Sequence, residues 1–314
     1  MNEVRLVEEK DILSIVVPCY NEDKCIDVFL SAIGDIKLPI RHEVVFVDDG
    51  STDGTLDVVK RHAADNPCVK YISFSRNFGK EAALLAGLRK ATGDYVVTMD
   101  VDLQDPPAYL PTMLDAVRAG GYDCAATRRV NRRGEPPIRS FFARLFYRLM
   151  RRYSDVALVD GARDYRMMKR KVVDAVLSLP EVNRFTKGIY QWVGFNTKWL
   201  EFENVERWAG ETKWSFPKLF AYAIDGVLAF STAPLQIASA VGCIGCALSF
   251  LALVFVVVRK LVCGDPVAGW ASLVCIMMFF FSVILLFMGI FGLYLSKIYR
   301  ETKHRPPYIV KEEG

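Results

Sequence analysis

Histidine is scarce in this sequence. His42, His62 and His304 are the only three in 314 residues, and all fall outside the polar motifs described below. A histidine-centred nucleophile triad therefore has no evident place to form. Glycine-rich phosphate loops are missing too. There is no G-x-x-x-x-G-K-[ST], and no G-x-G-x-x-G follows the first apolar run. This argues against an ATPase P-loop and against a Rossmann dinucleotide site. Eight cysteines form no disulfide or zinc framework. The one C-x-x-C, Cys243 to Cys246, lies in a long apolar run, where small buried residues explain it better than metal or redox chemistry. Met1 to Asp11 is charged and has no apolar core, so no cleavable signal peptide is expected. No repeat or low-complexity segment is evident.

Apolar residues, by contrast, are plentiful. They make up 52% of the chain, and mean hydropathy is +0.19. Short β-branched or apolar runs at Ile12–Val17, His42–Val47, Val69–Phe74, Tyr95–Met99 and Tyr122–Thr127 read as strands. Helical stretches separate them, from Asn21 to about Asp35, up to about Ala64, and from Glu81 to Lys90. Alternating strands and helices predict βαβ units and a mostly parallel sheet. In such sheets ligands bind beyond the carboxyl ends of the strands. Three polar clusters fall there: Pro18-Cys-Tyr-Asn-Glu22, Asp48-Asp49, and Asp100-Val-Asp102-Leu-Gln104-Asp105.

The third cluster organises the rest. Asp100 and Asp102 are two apart, so on a regular strand they face one side. Carboxylates crowded at the mouth of an apolar strand repel one another unless a cation sits between them. Oxygen ligands of this kind suit Mg²⁺ or Mn²⁺, with substrate phosphates filling the remaining positions. Read alone, the same residues also make an acidic loop capping the helix that starts near Pro107. Capping of a helix N-terminus is the preferred reading for Asp53 and Asp105.

Val17-Pro-Cys-Tyr-Asn-Glu22, Val47-Asp-Asp-Gly-Ser-Thr-Asp53 and Met99-Asp-Val-Asp-Leu-Gln-Asp-Pro-Pro107 resemble the signatures of family 2 glycosyltransferases with the GT-A fold. The third string narrows the resemblance to the branch that loads a sugar onto a polyprenyl phosphate, which includes dolichol-phosphate mannose synthases and bactoprenol (undecaprenyl-phosphate) glycosyltransferases. Asp160-Gly-Ala-Arg-Asp-Tyr-Arg-Met-Met168 resembles a G-x-x-D-F-R-L segment of that branch, with Tyr165 replacing the usual Phe. Arg207-Trp-Ala-Gly-Glu-Thr-Lys213 resembles R-x-x-G-x-S-K. The resemblance covers essentially the whole chain. It implies that Pro18, Tyr20, Glu22, Asp48 and Asp49 line the nucleotide pocket. Asp100, Asp102 and Gln104 would lie at the donor diphosphate, with Asp102 and Gln104 as direct metal ligands. Asp164 would sit near the sugar or acceptor as an orienting or base group. Arg207 and Lys213 would lie over the donor phosphates.

Arg128 to Arg152 holds nine arginines and one acid, Glu135. Phe141, Phe142, Leu145, Phe146 and Leu149 recur there at helical spacing, which reads as a basic helix lying on a membrane surface. Arginine suits phosphate recognition, so Arg128 and Arg139 are candidates to hold the acceptor phosphate. Further on, 235–258 and 266–296 contain no charged residue. Each exceeds the roughly 20 apolar residues that a bilayer span needs. Lysines and arginines flanking the pair predict that both ends lie on the cytoplasmic side.

The expected organisation is a GT-A catalytic domain over 1–212 and an amphipathic interface helix over 213–234. Spans at 235–258 and 266–296 and a cytoplasmic tail at 297–314 follow. The expected reaction is inverting, metal-dependent transfer of a hexose from a nucleotide-sugar, with UDP-hexose favoured, to a polyprenyl phosphate at the inner or plasma membrane. UDP-glucose, UDP-N-acetylglucosamine and GDP-mannose stay open as donors. The expected partners are donor, lipid, membrane and further copies of the chain, a tetramer by the resemblance, with no nucleic acid. The alternatives are a polysaccharide synthase of the same fold and a non-catalytic sugar-nucleotide sensor or scaffold. The first would typically carry Q-x-x-R-W, which Gln191-Trp192-Val-Gly194 does not supply.

Overall fold

The computed structural model describes residues 11–129, 159, 161–202, 227, 230–263 and 269–314. The chain divides into two compact units. One comprises Met1–Ala229 with Arg305–Gly314, and the other is Phe230–His304.

In the first unit β1 (Ile12–Cys19), β2 (Arg41–Asp48), β3 (Val69–Phe74) and β4 (Tyr95–Thr98) run parallel. The helices α1 (Asp23–Gly34), α2 (Thr55–Asp65) and α3 (Lys80–Lys90) fill the crossovers, and α4 (Leu110–Arg118) follows β4. This is the βαβ series that the sequence pattern predicts. Side chains alternate across the sheet, so a core forms on each face. Leu13, Ile15 and Val17 of β1 pack with Phe29 of α1 and with Met113 and Leu114 of α4 on one face. Val47, Ile72 and Phe74 pack with Ala82, Ala83 and Ala86 of α3 on the other. Every residue of α3 from Ala82 to Leu88 is buried. Such an all-round apolar helix belongs in the interior.

The sheet is completed by β5 (Cys124–Arg129), β6 (Ala162–Lys169), β7 (Thr197–Phe202) and β8 (Val310–Glu313), in the order β7-β5-β6-β4-β1-β2-β3-β8. The sequence pattern predicts β5 but not β6, β7 or β8. β6 runs antiparallel between β4 and β5, and β8 runs antiparallel along β3. β8 is short and charged, as edge strands are, so no apolar alternation marks it. It is fastened by Tyr308, stacked on Phe74 at 4.9 Å, and by the ion pairs Lys60–Glu312 at 2.5 Å and Lys90–Glu313 at 2.9 Å. The helices α5 (Arg170–Ser178) and α6 (Thr186–Trp192) follow β6.

The second unit is built from α7 (Ala233–Cys263) and α8 (Trp270–Thr302). Ala233–Ala252 and Ile276–Thr302 are long and apolar enough to cross a membrane, with mean hydropathies of 1.9 and 2.6. Large apolar side chains stand open on both helices, Phe250 at 65% and Leu285 at 67% exposure among them. Exposed apolar surface on this scale marks contact with lipid or protein. The basic helix expected near 137–152 lies outside the described residues. So does the interface helix expected over 213–234, apart from Val227 and its last residues, and so do Arg139, Arg207 and Lys213.

Candidate active site

The polar clusters at the ends of β1, β2 and β4 meet at one edge of the sheet. β1 and β2 are in register from Ile12↔Arg41 to Cys19↔Asp48, so the turns after them emerge side by side. Asn21 locks these turns together. It donates its N–H to Ser51 Oγ at 2.9 Å and accepts Thr52 N–H at 2.8 Å. Its φ of +52° is left-handed, a conformation asparagine tolerates better than most residues. Gly50, at φ +68°, is required outright, because a Cβ there would lie 2.4 Å from the Arg76 carbonyl carbon.

Asp48 and Asp49 are buried and their oxygens are engaged. Asp48 accepts Ser51 N–H at 3.0 Å and Ser73 Oγ–H at 2.8 Å. Asp49 accepts Phe78 N–H at 2.6 Å and Gly79 N–H at 2.9 Å, and burial raises its pKa. Both carboxylates therefore brace the loops around the expected nucleotide pocket. Pro18 and Tyr20 lie half-buried on β1 and just beyond it. Glu22 precedes α1, donates its N–H to Thr55 Oγ at 2.8 Å, and accepts the Cys25 thiol at 3.4 Å.

The Asp100–Asp105 turn is held from within. Asp102 accepts Gln104 N–H at 3.1 Å, and Leu103 sits at φ +57°. That conformation is strained for leucine, and such strain clusters at ligand sites. Asp105 is fully buried and does not cap the following helix, contrary to the sequence expectation. It accepts Asp100 N–H at 3.2 Å, while Arg163 Nε and Nη2 donate to its other oxygen at 3.1 and 3.0 Å. Burial pushes its pKa up to about 6 against the pull of Arg163. Asp53 does act as expected, accepting Thr55 N–H at 3.0 Å at the start of α2.

β6 brings the remaining carboxylate. Thr98 of β4 pairs with Arg166, so continuing this register two residues sets Asp164 beside Asp100. Thr98 Oγ–H donates to the Asp164 carbonyl at 2.5 Å. Lys80, the first residue of α3, bridges the two side chains: Nζ lies 2.6 Å from Asp100 Oδ1 and 2.9 Å from Asp164 Oδ2. Burial works against charge on both Lys80 and Asp164. On the lysine, Asp100 and then Asp164 outweigh burial and raise its pKa, while Lys80, with help from Lys187, holds the Asp164 carboxyl well below the usual carboxylate range. Tyr165, where the motif has Phe, is fully buried and donates its hydroxyl to the Pro106 carbonyl at 3.2 Å. Arg166 lies buried between the rings of Tyr190 and Trp199, at 4.7 and 5.3 Å.

Asp100, Asp102 and Gln104, all on this turn, carry oxygen donors of the kind a hard divalent ion takes. Among the described residues no three His, Cys, Asp or Glu side chains gather to hold an ion alone. Arg128, on β5, is paired with Glu201 of β7, its Nε 3.1 Å from Oε1. The sequence expectation omits Lys80, Asn21 and Arg163. Arg76-Asn-Phe-Gly-Lys80, directly after β3, is the available signal for Lys80.

A family model described as glycosyl transferase family 2 matches residues 14–177, which span β1 to α5 and contain all these turns. The chain belongs to this family. This glycosyltransferase is 40% identical over 306 residues to the putative glycosyltransferase CsbB of Bacillus subtilis, covering 97% of this chain and 92% of that one. It is 39% identical over 303 residues to the bactoprenol glucosyl transferase of Shigella phage SfV, covering 96% and 98%. Among solved structures it is similar to glucosyl-3-phosphoglycerate synthase from Mycobacterium tuberculosis in complex with Mn²⁺ and UDP-glucose. That match has 18% identity and a TM-score of 0.46 over 70% of this chain and 77% of that one.

Proposed function

We propose that this glycosyltransferase moves a hexose from UDP-hexose to a polyprenyl phosphate at the cytoplasmic face of a membrane, with inversion and with Mg²⁺ or Mn²⁺. The observation that carries the reading is the nearly end-to-end likeness to a protein named bactoprenol glucosyl transferase, which extends through both apolar helices. Those helices would hold the catalytic unit beside its lipid. The unit before them and the tail after them would share the cytoplasmic side.

Asp102 and Gln104 would hold the divalent ion, with Asp100 alongside. Bound there, the ion would stabilise the charge that grows on the departing diphosphate. Pro18, Tyr20 and Glu22 would line the nucleotide pocket on a frame braced by Asp48 and Asp49. Arg207 and Lys213 would approach the donor phosphates, and Arg128 and Arg139 the acceptor phosphate. For Arg128 this means exchanging Glu201 for phosphate. The acceptor needs no protein nucleophile, because a phosphate monoester with a second pKa of about 6 is largely ionised at neutral pH. One of its oxygens would attack the anomeric carbon as the bond to the diphosphate breaks, and UDP would leave with the electron pair. Asp164, tied to Lys80, serves to orient sugar and acceptor.

The test is transfer from a panel of radiolabelled UDP- and GDP-sugars to undecaprenyl phosphate in detergent, with and without Mn²⁺ or Mg²⁺, beside Asp102→Ala. A lipid-linked product from a UDP-hexose, lost without metal and in the variant, is expected. Binding of nucleotide without any lipid product would defeat the acceptor assignment.

A further inference from the structure

We propose that Lys80 is a built-in counter-cation for Asp100 and Asp164, so that the divalent ion enters together with the donor diphosphate and not ahead of it. The inference rests on the metal-dependent reading above.

Three consecutive residues at the start of α3 each tie down a different element. Gly79 N–H binds Asp49 at the end of β2, at 2.9 Å. Lys80 Nζ joins Asp100, beyond β4, to Asp164, at the start of β6, at 2.6 and 2.9 Å. Glu81 accepts Thr186 N–H, at the start of α6, at 2.9 Å. Lys80 is thus fixed by its neighbours on both sides, and its side chain is only 36% exposed.

Two carboxylates that share one ammonium repel each other once it is removed. A divalent ion held by Asp102 and Gln104 with Asp100 alongside would answer the Asp100 side of the same repulsion. While Lys80 is in place, one oxygen of each carboxylate is engaged, and an ion arriving alone meets a fixed positive charge. A nucleotide diphosphate reverses that balance by adding negative charge and phosphate oxygens. Metal and donor then favour each other's binding, a coupling that is necessarily reciprocal. Lys80 acts through the two carboxylates, as a positioning residue.

The experiment is Mn²⁺ binding to the full chain in detergent, followed by the electron paramagnetic resonance signal of free Mn²⁺, with the Mn²⁺ bound by UDP in matched protein-free mixtures subtracted. Wild type, Lys80→Met and Lys80→Arg are titrated with and without UDP. Wild type should bind Mn²⁺ weakly alone and about tenfold or more tightly with UDP. Lys80→Met should raise donor-free affinity about tenfold and lose most of the response to UDP, because the positive charge 2.6 Å from Asp100 has gone. Lys80→Arg should behave as wild type. Lys80→Gln reads the same quantity should Lys80→Met fail to fold. If the neutral variant binds donor-free Mn²⁺ no more tightly than wild type while UDP still recruits the ion, the role of Lys80 is overturned and the metal-dependent reading stands. If wild type binds no Mn²⁺ with or without UDP, that reading itself falls.

Discussion

Asp105 and Arg163 form the buried joint on which the Asp100–Asp105 turn rests. Both guanidinium contacts fall on Oδ1 of Asp105, at 3.1 and 3.0 Å, which leaves Oδ2 to receive Asp100 N–H. Asp105→Ala removes the acceptor and strands Arg163. Breaking such a pair costs roughly 3–5 kcal/mol. Thermal unfolding should show a large drop in midpoint, and any folded variant should lose most sugar transfer. Unchanged stability would show that the joint does not hold the turn.

Tyr165 gives a milder test of the same joint. Tyr165→Phe restores the usual residue of the motif and removes the hydroxyl that donates to Pro106. The loss should be about 1 kcal/mol. It is expected in denaturant unfolding, with transfer falling only a few-fold.

Gly50 and Gly34 make a matched pair. Alanine at Gly50 meets the Arg76 backbone at 2.4 Å and must hold φ +68°, whereas alanine at Gly34 meets nothing within 4 Å. Gly50→Ala should destabilise by at least about 1–3 kcal/mol from backbone strain alone. Gly34→Ala, in the last turn of α1, should be neutral or stabilising by up to about 1 kcal/mol. Parallel melting curves decide.

Glu43 gives a pH dependence. Burial would raise its pKa, but hydrogen bonds from Lys70, Ser14 and Thr92 outweigh that and lower it from 4.5 to about 2. A depressed carboxyl stabilises the fold above its unfolded pKa, and this contribution is lost as pH falls through the folded value. Wild type should therefore exceed Glu43→Gln in melting temperature at neutral pH. The gap should narrow as pH falls from about 4.5 toward 2. A gap independent of pH would refute the assignment.

The parallel half of the sheet is legible in the sequence because β1 to β4 are apolar runs that end in polar turns. β6 is not, although its motif can be recognised. Arg163, Asp164 and Arg166 interrupt any apolar alternation, and only pairing with β4 and β5 makes the segment a strand. The same fact hides the meeting of Asp100 and Asp164 at Lys80, which no local pattern announces. Asp105 misleads because an acid before a helix looks like a cap, and only tertiary structure shows that Arg163 claims it. The tail after α8 reads as charged surface until Tyr308 finds Phe74.

The most direct test of the central claim is the mass of the lipid product formed from UDP-hexose by the full chain in vesicles containing either polyprenyl phosphate or the corresponding polyprenol. The expected product is polyprenyl phosphate carrying one added hexose, with none from the polyprenol, which has no phosphate oxygen to attack. A growing saccharide, equal transfer to the polyprenol, or release of free hexose alone would contradict the claim.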